Sequence, residues 1–279
     1  MKGPKFHFML IWLCLLLYLP LQGQEIALQL YSLRDQMKSD VEGTHLLPSK
    51  WGIKYLEGGS TYGFSLDEYQ ELLASHDLSI ISVGADFQQL KDNPQEIIES
   101  AHAYGAKYAT CFWIPHPSKN FSMKEAKEAV EVFNKAGKIF KDNGITLTYH
   151  PHGYEFKSYN NGVLFDYMIE NAQHYEFNMD VFWVKMGGGD PLQLMKKYPD
   201  KFPLLHLKDR KKGTLGNPFG TGDVESNVVL GTGDIDIKGI ILEAKKIGTK
   251  YLIIEDESSR SVAQIPLSIN YIKQVLNEN

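Results

Sequence analysis

Residues Gly144 to Phe156 read GITLTYHPHGYEF, and the fold turns on this stretch. Gly144 ends a helical pattern, Ile145–Tyr149 reads as a short strand, and the chain then runs directly into His150, Pro151, His152, Gly153, Tyr154 and Glu155. Side chains of a strand alternate between its two faces. Thr146, Thr148 and His150 therefore share one face, while Ile145, Leu147 and Tyr149 share the other. Polar groups climb one face toward a histidine at the strand's C-terminal end, and apolar groups cover the opposite face. In a parallel barrel wrapped by helices, that end opens into the mouth, where such barrels carry their chemistry.

The same unit recurs on either side of it. Strands are predicted at Ile26–Tyr31, Ile53–Glu57, Ser79–Gly84, Lys107–Trp113, Ile145–His150, Glu176–Phe182, Pro203–Lys208 and Tyr251–Glu255, each followed by a helical or partly helical span. Ser65 with Glu68, and Ser122 with Glu125, have the spacing of capping boxes. Pro94 suits a first helical position, and Gly105, Gly144 and Gly248 suit left-handed caps after helices. Pro48 is expected to break or shorten the helix over 41–51. Alternating β and α units imply a parallel sheet, and eight of them within roughly 250 residues predict a single (β/α)8 TIM barrel over residues 24–279. The Gly-, Asn-, Thr- and Asp-rich segment from Asp209 to Asp234 is too long for an ordinary connection and is a candidate lid or substrate loop.

The chain has 279 residues, 43% hydrophobic and 23% charged, enough for one large core. Its net charge of −5 and the lack of a basic stripe interleaved with aromatics argue against a nucleic-acid partner. At the N-terminus Lys2 and Lys5 precede an apolar run from Phe8 to Leu19, then Pro20 and the small Gly23. That is the layout of a secretory signal peptide over residues 1–23. The run is short for a membrane span, although an uncleaved anchor is the alternative. Leu13 before Cys14 is too bulky for a lipoprotein signal. The mature protein is expected to be exported, periplasmic or secreted, without stable membrane insertion, and a homodimer is left open. Cys111 is then the only cysteine, which excludes an intrachain disulfide and a thiolate metal site.

Alternation applied to the later strands puts Asn178 and Asp180 on one face, Leu204, His206 and Lys208 on one face, and Ile253 and Glu255 on one face. Four consecutive strands thus end with an inward ligand-type side chain: His150, Asp180, His206 and Glu255. Any one of them alone is ordinarily a satisfied polar residue at a barrel mouth. Together they predict a divalent-metal site, and mixed N/O ligation suits Mn, Zn, Co or Fe better than Ca or Cu(I), with Mg also admitted.

From Gln29 to Glu257 the chain resembles a sugar phosphate isomerase/epimerase of the xylose isomerase-like TIM-barrel superfamily. The resemblance rests on LQLYSLRD (28–35), YLEGG (55–59), YHPHGYEF (149–156), MDVFWV (179–184), GGDP (188–191), LLHLKD (204–209), GTGDID (231–236) and IIEDE (253–257). It implies a divalent metal held by one residue from each of strands five to eight, positions occupied here by His150, Asp180, His206 and Glu255. Epimerases of this superfamily carry a glutamate at the fifth-strand position, paired with the eighth-strand glutamate as two bases. His150 stands there instead, which puts two-carboxylate epimerisation in question.

The chemistry implied is removal of a proton α to a sugar carbonyl, with a metal stabilising the enediolate. Glu255 is the candidate base, His150 or Glu155 the candidate relay, and Lys208 either an oxyanion stabiliser or an ion-pair partner of Asp180 or Glu255. Glu57 ends the second strand facing inward, toward substrate or orienting His206. Tyr31, Arg34, Trp113 and His152 are further substrate-binding candidates, Trp113 by stacking on a sugar face or else as a core residue. Asp256 and Glu257 read as anchors of the last loop. Reprotonation at the neighbouring carbon would make the enzyme an isomerase, reprotonation from the opposite face an epimerase, and loss of a β-substituent a lyase or, in reverse, a hydratase. Export favours a non-phosphorylated sugar or keto-sugar, although Arg210, Lys211 and Lys212 are a candidate phosphate grip. A non-catalytic envelope sugar-binding protein and a metal-dependent endonuclease are the competing classes. The first has no need of the quartet, and the second would need further ligands and a basic face.

Overall fold

A computed structural model describes residues 23–278. The expected signal peptide at 1–23 lies, apart from Gly23, outside the described residues. Among the described residues no helix is long and apolar enough to cross a membrane.

Eight parallel strands close into a barrel. They are β1 (Glu25–Gln29), β2 (Tyr55–Gly58), β3 (Ser79–Gly84), β4 (Tyr108–Cys111), β5 (Thr146–Tyr149), β6 (Glu176–Asp180), β7 (Leu204–Leu207) and β8 (Tyr251–Ile254). Each pairs with its sequence neighbours, and β1 pairs with β8 to close the ring. Helices including Val41–Lys50, Leu66–Ser75, Pro94–Tyr104, Met123–Asp142, Leu164–Glu170, Ile237–Ile247 and Ser261–Asn277 pack outside.

Parity divides the strands as alternation requires. Outward residues such as Leu28, Leu56, Leu147, Phe177, Leu205 and Ile254 join the helices in the main core. Inward, Ala27, Ile81, Leu204 and Ile253 form a small plug, with Tyr55, Tyr108 and Tyr251 packed against it. Two edge-to-face ring contacts, Tyr55–Tyr251 at 5.3 Å and Tyr108–Tyr251 at 6.2 Å, add to this apolar floor. Further along the strands the inward residues turn polar, so the barrel carries its hydrogen-bonding groups toward the C-terminal mouth.

The predicted caps are present. Ser65 and Ser122 form both capping boxes, Pro94 opens its helix, and Gly105, Gly144 and Gly248 have φ of 68°, 74° and 80°. Some boundaries differ. Pro48 lies inside the helix Val41–Lys50 and does not break it. It sits in the last turn, where it forfeits one hydrogen bond, while Trp51 N–H still reaches the Leu47 carbonyl at 3.0 Å. Tyr31 is not in β1 but in a 3₁₀ turn, Leu30–Leu33, begun when the Gln29 side chain accepts from Tyr31 N–H. Phe182 leaves β6 for the helix Val181–Met186, capped by Asp180.

The segment after β7 folds as a strap. Asp209–Arg210 pairs antiparallel with Asn227–Val228. The Asp209 carboxylate accepts from the backbone N–H of Arg210, Gly231, Gly233 and Ile235 at 2.7–3.3 Å, clasping the two ends of the loop. Arg210 binds Asp234 through two nitrogens, at 3.0 and 2.8 Å, so it is spent within the loop.

Candidate metal centre and cavity

The quartet converges. One donor atom from each of His150, Asp180, His206 and Glu255 lies within 4.8 Å of all the others, and all four residues are buried. Register explains half of it, because Asp180 on β6 is the direct pairing partner of His206 on β7. His150 Nε2 stands 3.2 Å from His206 Nδ1 and 3.3 Å from Asp180 Oδ2, and His206 Nδ1 stands 3.1 Å from Glu255 Oε2. Ligands about 2.1 Å from one ion are separated by at most roughly 4.2 Å, so the spread is close to that of a coordination shell.

Two features fit a cation in this place. Asp180 spends Oδ1 on the backbone N–H of Phe182 and Trp183, at 2.7 and 3.0 Å, while its buried Oδ2 has no hydrogen-bond partner. A buried carboxylate oxygen without a donor is costly unless a charge faces it. His206 is held from behind by Glu57, which takes Nε2 and leaves Nδ1 for the centre. That carboxylate–histidine pairing fixes the tautomer and ring direction required of a ligand.

Glu57 does not line the cavity. It is fully buried and accepts from Gln29 (3.0 Å), Thr110 (2.9 Å) and Asn178 (3.0 Å) as well as His206, so it takes the place behind His206 and not one facing substrate. Burial pushes the Asp180 carboxyl up. Burial and the neighbouring His206 push His150 down to about 3. For His206, burial opposes charge, but Glu57 and Glu255 on the two ring nitrogens outweigh it and raise the group to about 10. Burial likewise resists ionisation of Glu255, yet Lys208 and His206 hold it well below the usual carboxylate range.

Above the quartet lies a cavity of about 450 Å³. His150, His152 and Glu255 reach it, between walls that include Trp113, Trp183 and Tyr31. Both hydrogen bonds of Glu255 fall on Oε2, which leaves Oε1 uncommitted at the cavity wall. Trp113 is 42% exposed, which suits a stacking face and not a core residue. His152 sits 5.3 Å from the Trp113 ring and 5.6 Å from the Trp183 ring. Its loop is placed by Gly153 at φ 93°, where an added Cβ would fall 2.7 Å from the Trp183 carbonyl oxygen.

Other candidates take places of their own. Glu155 is buried with its carboxylate on Tyr149, which points away from the barrel interior, and on His152 N–H, so Glu155 pins the loop. Lys208 forms the ion-pair alternative, with Glu255 at 3.4 Å and with Glu257, under the Phe182 and Trp183 rings. Arg34 gives its guanidinium to the carbonyls of Glu257 (2.7 Å) and Tyr31 (3.1 Å), and it lines a neighbouring cavity instead.

Glu257, read from sequence as a loop anchor, lines the cavity beside Glu255. Continuing the alternation from Ile253 and Glu255 by one more step would have found it. Phe112 also lines the cavity and continues the inward parity of Tyr108 and Thr110, whereas Trp183, on the helix after β6, and Gly220, in the strap, leave no such trace. Gly220 belongs to the strap after β7, as the length of that loop suggested.

The sequence profile of the xylose isomerase-like TIM barrel family matches residues 49–275. Inosose dehydratase of Clostridium perfringens is 29% identical over 170 residues, and the match spans 55% of this chain and only 56% of that relative. A sugar phosphate isomerase/epimerase from Parabacteroides distasonis superimposes with a TM-score of 0.71 at 23% identity, over 89% of this chain and 97% of that one. The zinc-bound IOLI protein gives 0.71 at 15% identity, over 91% and 99%. At these identities the two structures are similar in fold.

Proposed function

Because the chain belongs to the xylose isomerase-like TIM barrel family, we propose that it is a divalent-metal-dependent enzyme that removes the proton α to the carbonyl of a non-phosphorylated sugar or keto-sugar. The observation that carries this reading is the buried quartet lying directly beneath a cavity into which one carboxylate oxygen, Glu255 Oε1, is uncommitted. A cation held by His150, Asp180, His206 and Glu255 would supply Lewis acidity to a carbonyl oxygen and its neighbouring hydroxyl. Zinc in the similar IOLI protein supports that class of ion.

Glu255 accepts the α-proton. Its ionised form is maintained by Lys208, which Glu257 holds in place. Trp113 and Tyr31 offer faces against which a sugar ring can lie, while Trp183 and Phe112 exclude water from the far side. Among the described residues no lysine or arginine lines this cavity, and Arg210 is spent on Asp234, which supports a substrate without phosphate. The apolar and basic layout of residues 1–23 supports action outside the cytoplasm.

With Glu257 engaged by Lys208, Glu255 is left as the base over the cavity, and the proton returns to the same face at the next carbon, as in aldose–ketose isomerisation. A second reading is β-elimination or its reverse, favoured by the similarity to inosose dehydratase. Metal-loaded protein incubated in D2O with free and keto-sugars separates them. Deuterium bound to carbon without net loss of water supports isomerisation, and a new double bond supports elimination. Neither product with any sugar refutes both, and undiminished exchange in Glu255→Gln refutes the base.

A further inference from the structure

We infer that the site has a second binding compartment, over the ends of β1–β3, that takes a second six-membered ring linked to the reacting one. This rests on the carbohydrate reading above and deepens it from a single sugar to a two-ring glycoside. A second cavity, about 670 Å³, is larger than the one above the quartet. It lies beside it, and Gln29, Tyr31 and Phe112 line both. The cavity above the quartet, about 450 Å³, is already adequate for one sugar ring, so a single monosaccharide leaves the larger space unused.

The chemistry of the second compartment suits a ring with a flat apolar face and a few hydroxyls. Leu30, Met37, Val83 and Tyr62 give it apolar walls, and among the described residues no carboxylate lines it. Tyr31, 53% exposed, stands at the junction of the two compartments. Gln29 at the same junction donates to Glu57 and accepts from Tyr31 N–H, which fixes its side chain between the two compartments. Arg34 lies 4.6 Å from the Tyr31 ring and is anchored only by the two carbonyls, which leaves guanidinium N–H donors for ring hydroxyls. Its bond to the Glu257 carbonyl ties the second compartment to the residue that holds Lys208.

Gly84 offers a clean test. It lines the second compartment and not the first, and a Cβ built there meets no atom within 4 Å. Gly84→Leu therefore adds bulk in open space without disturbing the quartet, and Ser60→Trp, at another exposed lining position, is the independent second variant. Binding of glucose, cellobiose, p-nitrophenyl β-glucoside and glucose 6-phosphate to metal-loaded protein is measured by calorimetry. The two-ring ligands are expected to bind at least about tenfold more tightly than glucose, through the added apolar contact. Both substitutions should erase that gain and leave glucose unchanged. Cellobiose and the nitrophenyl glucoside distinguish a second sugar from an aromatic group. Equal binding of one-ring and two-ring ligands, or a gain untouched by both substitutions, overturns the inference while leaving the proton-abstraction reading intact. A gain confined to glucose 6-phosphate and lost in the variants overturns it in favour of an anion pocket. If no ligand binds, the carbohydrate reading falls with it.

Discussion

Glu57 shows how much one buried side chain decides. Its carboxylate only accepts hydrogen bonds, and every group around it donates: Gln29, Thr110, Asn178 and His206. Glu57→Gln would place an NH2 among those donors and loosen the grip on His206 Nε2. Metal affinity is expected to fall about 10–100-fold, read by competition with a chromogenic chelator. Affinity unchanged by the substitution would remove Glu57 from the support of the centre. Glu155 carries a different prediction, in pH. Burial raises its carboxyl to about 7, above the ordinary value near 4.5. The folded state therefore holds a proton that the unfolded chain releases, so stability is fully present below pH 4.5 and declines as pH rises toward 7. Each pH unit in that window lowers stability by at most about 1.4 kcal/mol from this group. Glu155→Gln should lack that decline, which denaturant melts at pH 5 and pH 7 would show as a smaller difference between the two. An equal difference in both proteins would refute a neutral Glu155.

At the scale of elements, the strands and the strap do separate jobs. β5–β8 are rigid supports that each deliver one quartet residue from the same end, and their register sets which donors meet. The strap after β7 is fastened at its ends by Asp209 and leaves Leu215 88% exposed, while its Gly220 reaches the cavity. Asp209→Ala removes the acceptor for four backbone N–H groups and should free the strap without unfolding the barrel. Limited proteolysis is expected to cut first near Leu215, and faster than in the parent protein. Unaltered cleavage kinetics would mean that the short strand pair Asp209–Arg210 with Asn227–Val228 fastens the strap unaided.

Over the whole molecule, the quartet joins half of the barrel ring, from β5 to β8, at one point. An ion held there would bind only the folded chain and so stabilise it by mass action, by about 2.7 kcal/mol at a hundredfold excess over its dissociation constant. Chelation of metal-loaded protein should lower the melting temperature, and readdition of Zn or Mn should restore it. A melting temperature indifferent to both would argue against a resident metal. Mass action also sets the order of effects: Glu57→Gln should diminish this metal-dependent increment, whereas Asp209→Ala should leave it.

The barrel and the quartet were legible in the chain because alternation along a strand is a local rule. Once β5 to β8 were recognised, Thr148, His150, Asp180, His206 and Glu255 had to share the inner face. The capping boxes and the glycine caps were legible for the same reason, since each is settled within a few residues. Depth was not. Glu57 and His206 both face inward, yet one lies beneath the other because the strands are staggered, and the bond joining them spans 149 residues of chain. Nor was the course of the segments beyond the strand ends, which turned Glu155 outward, moved Arg34 into a second cavity and brought Trp183 and Gly220 to the first. Those placements come from packing between distant segments, such as Gly153 against the Trp183 carbonyl, and only the closed tertiary structure supplies such contacts.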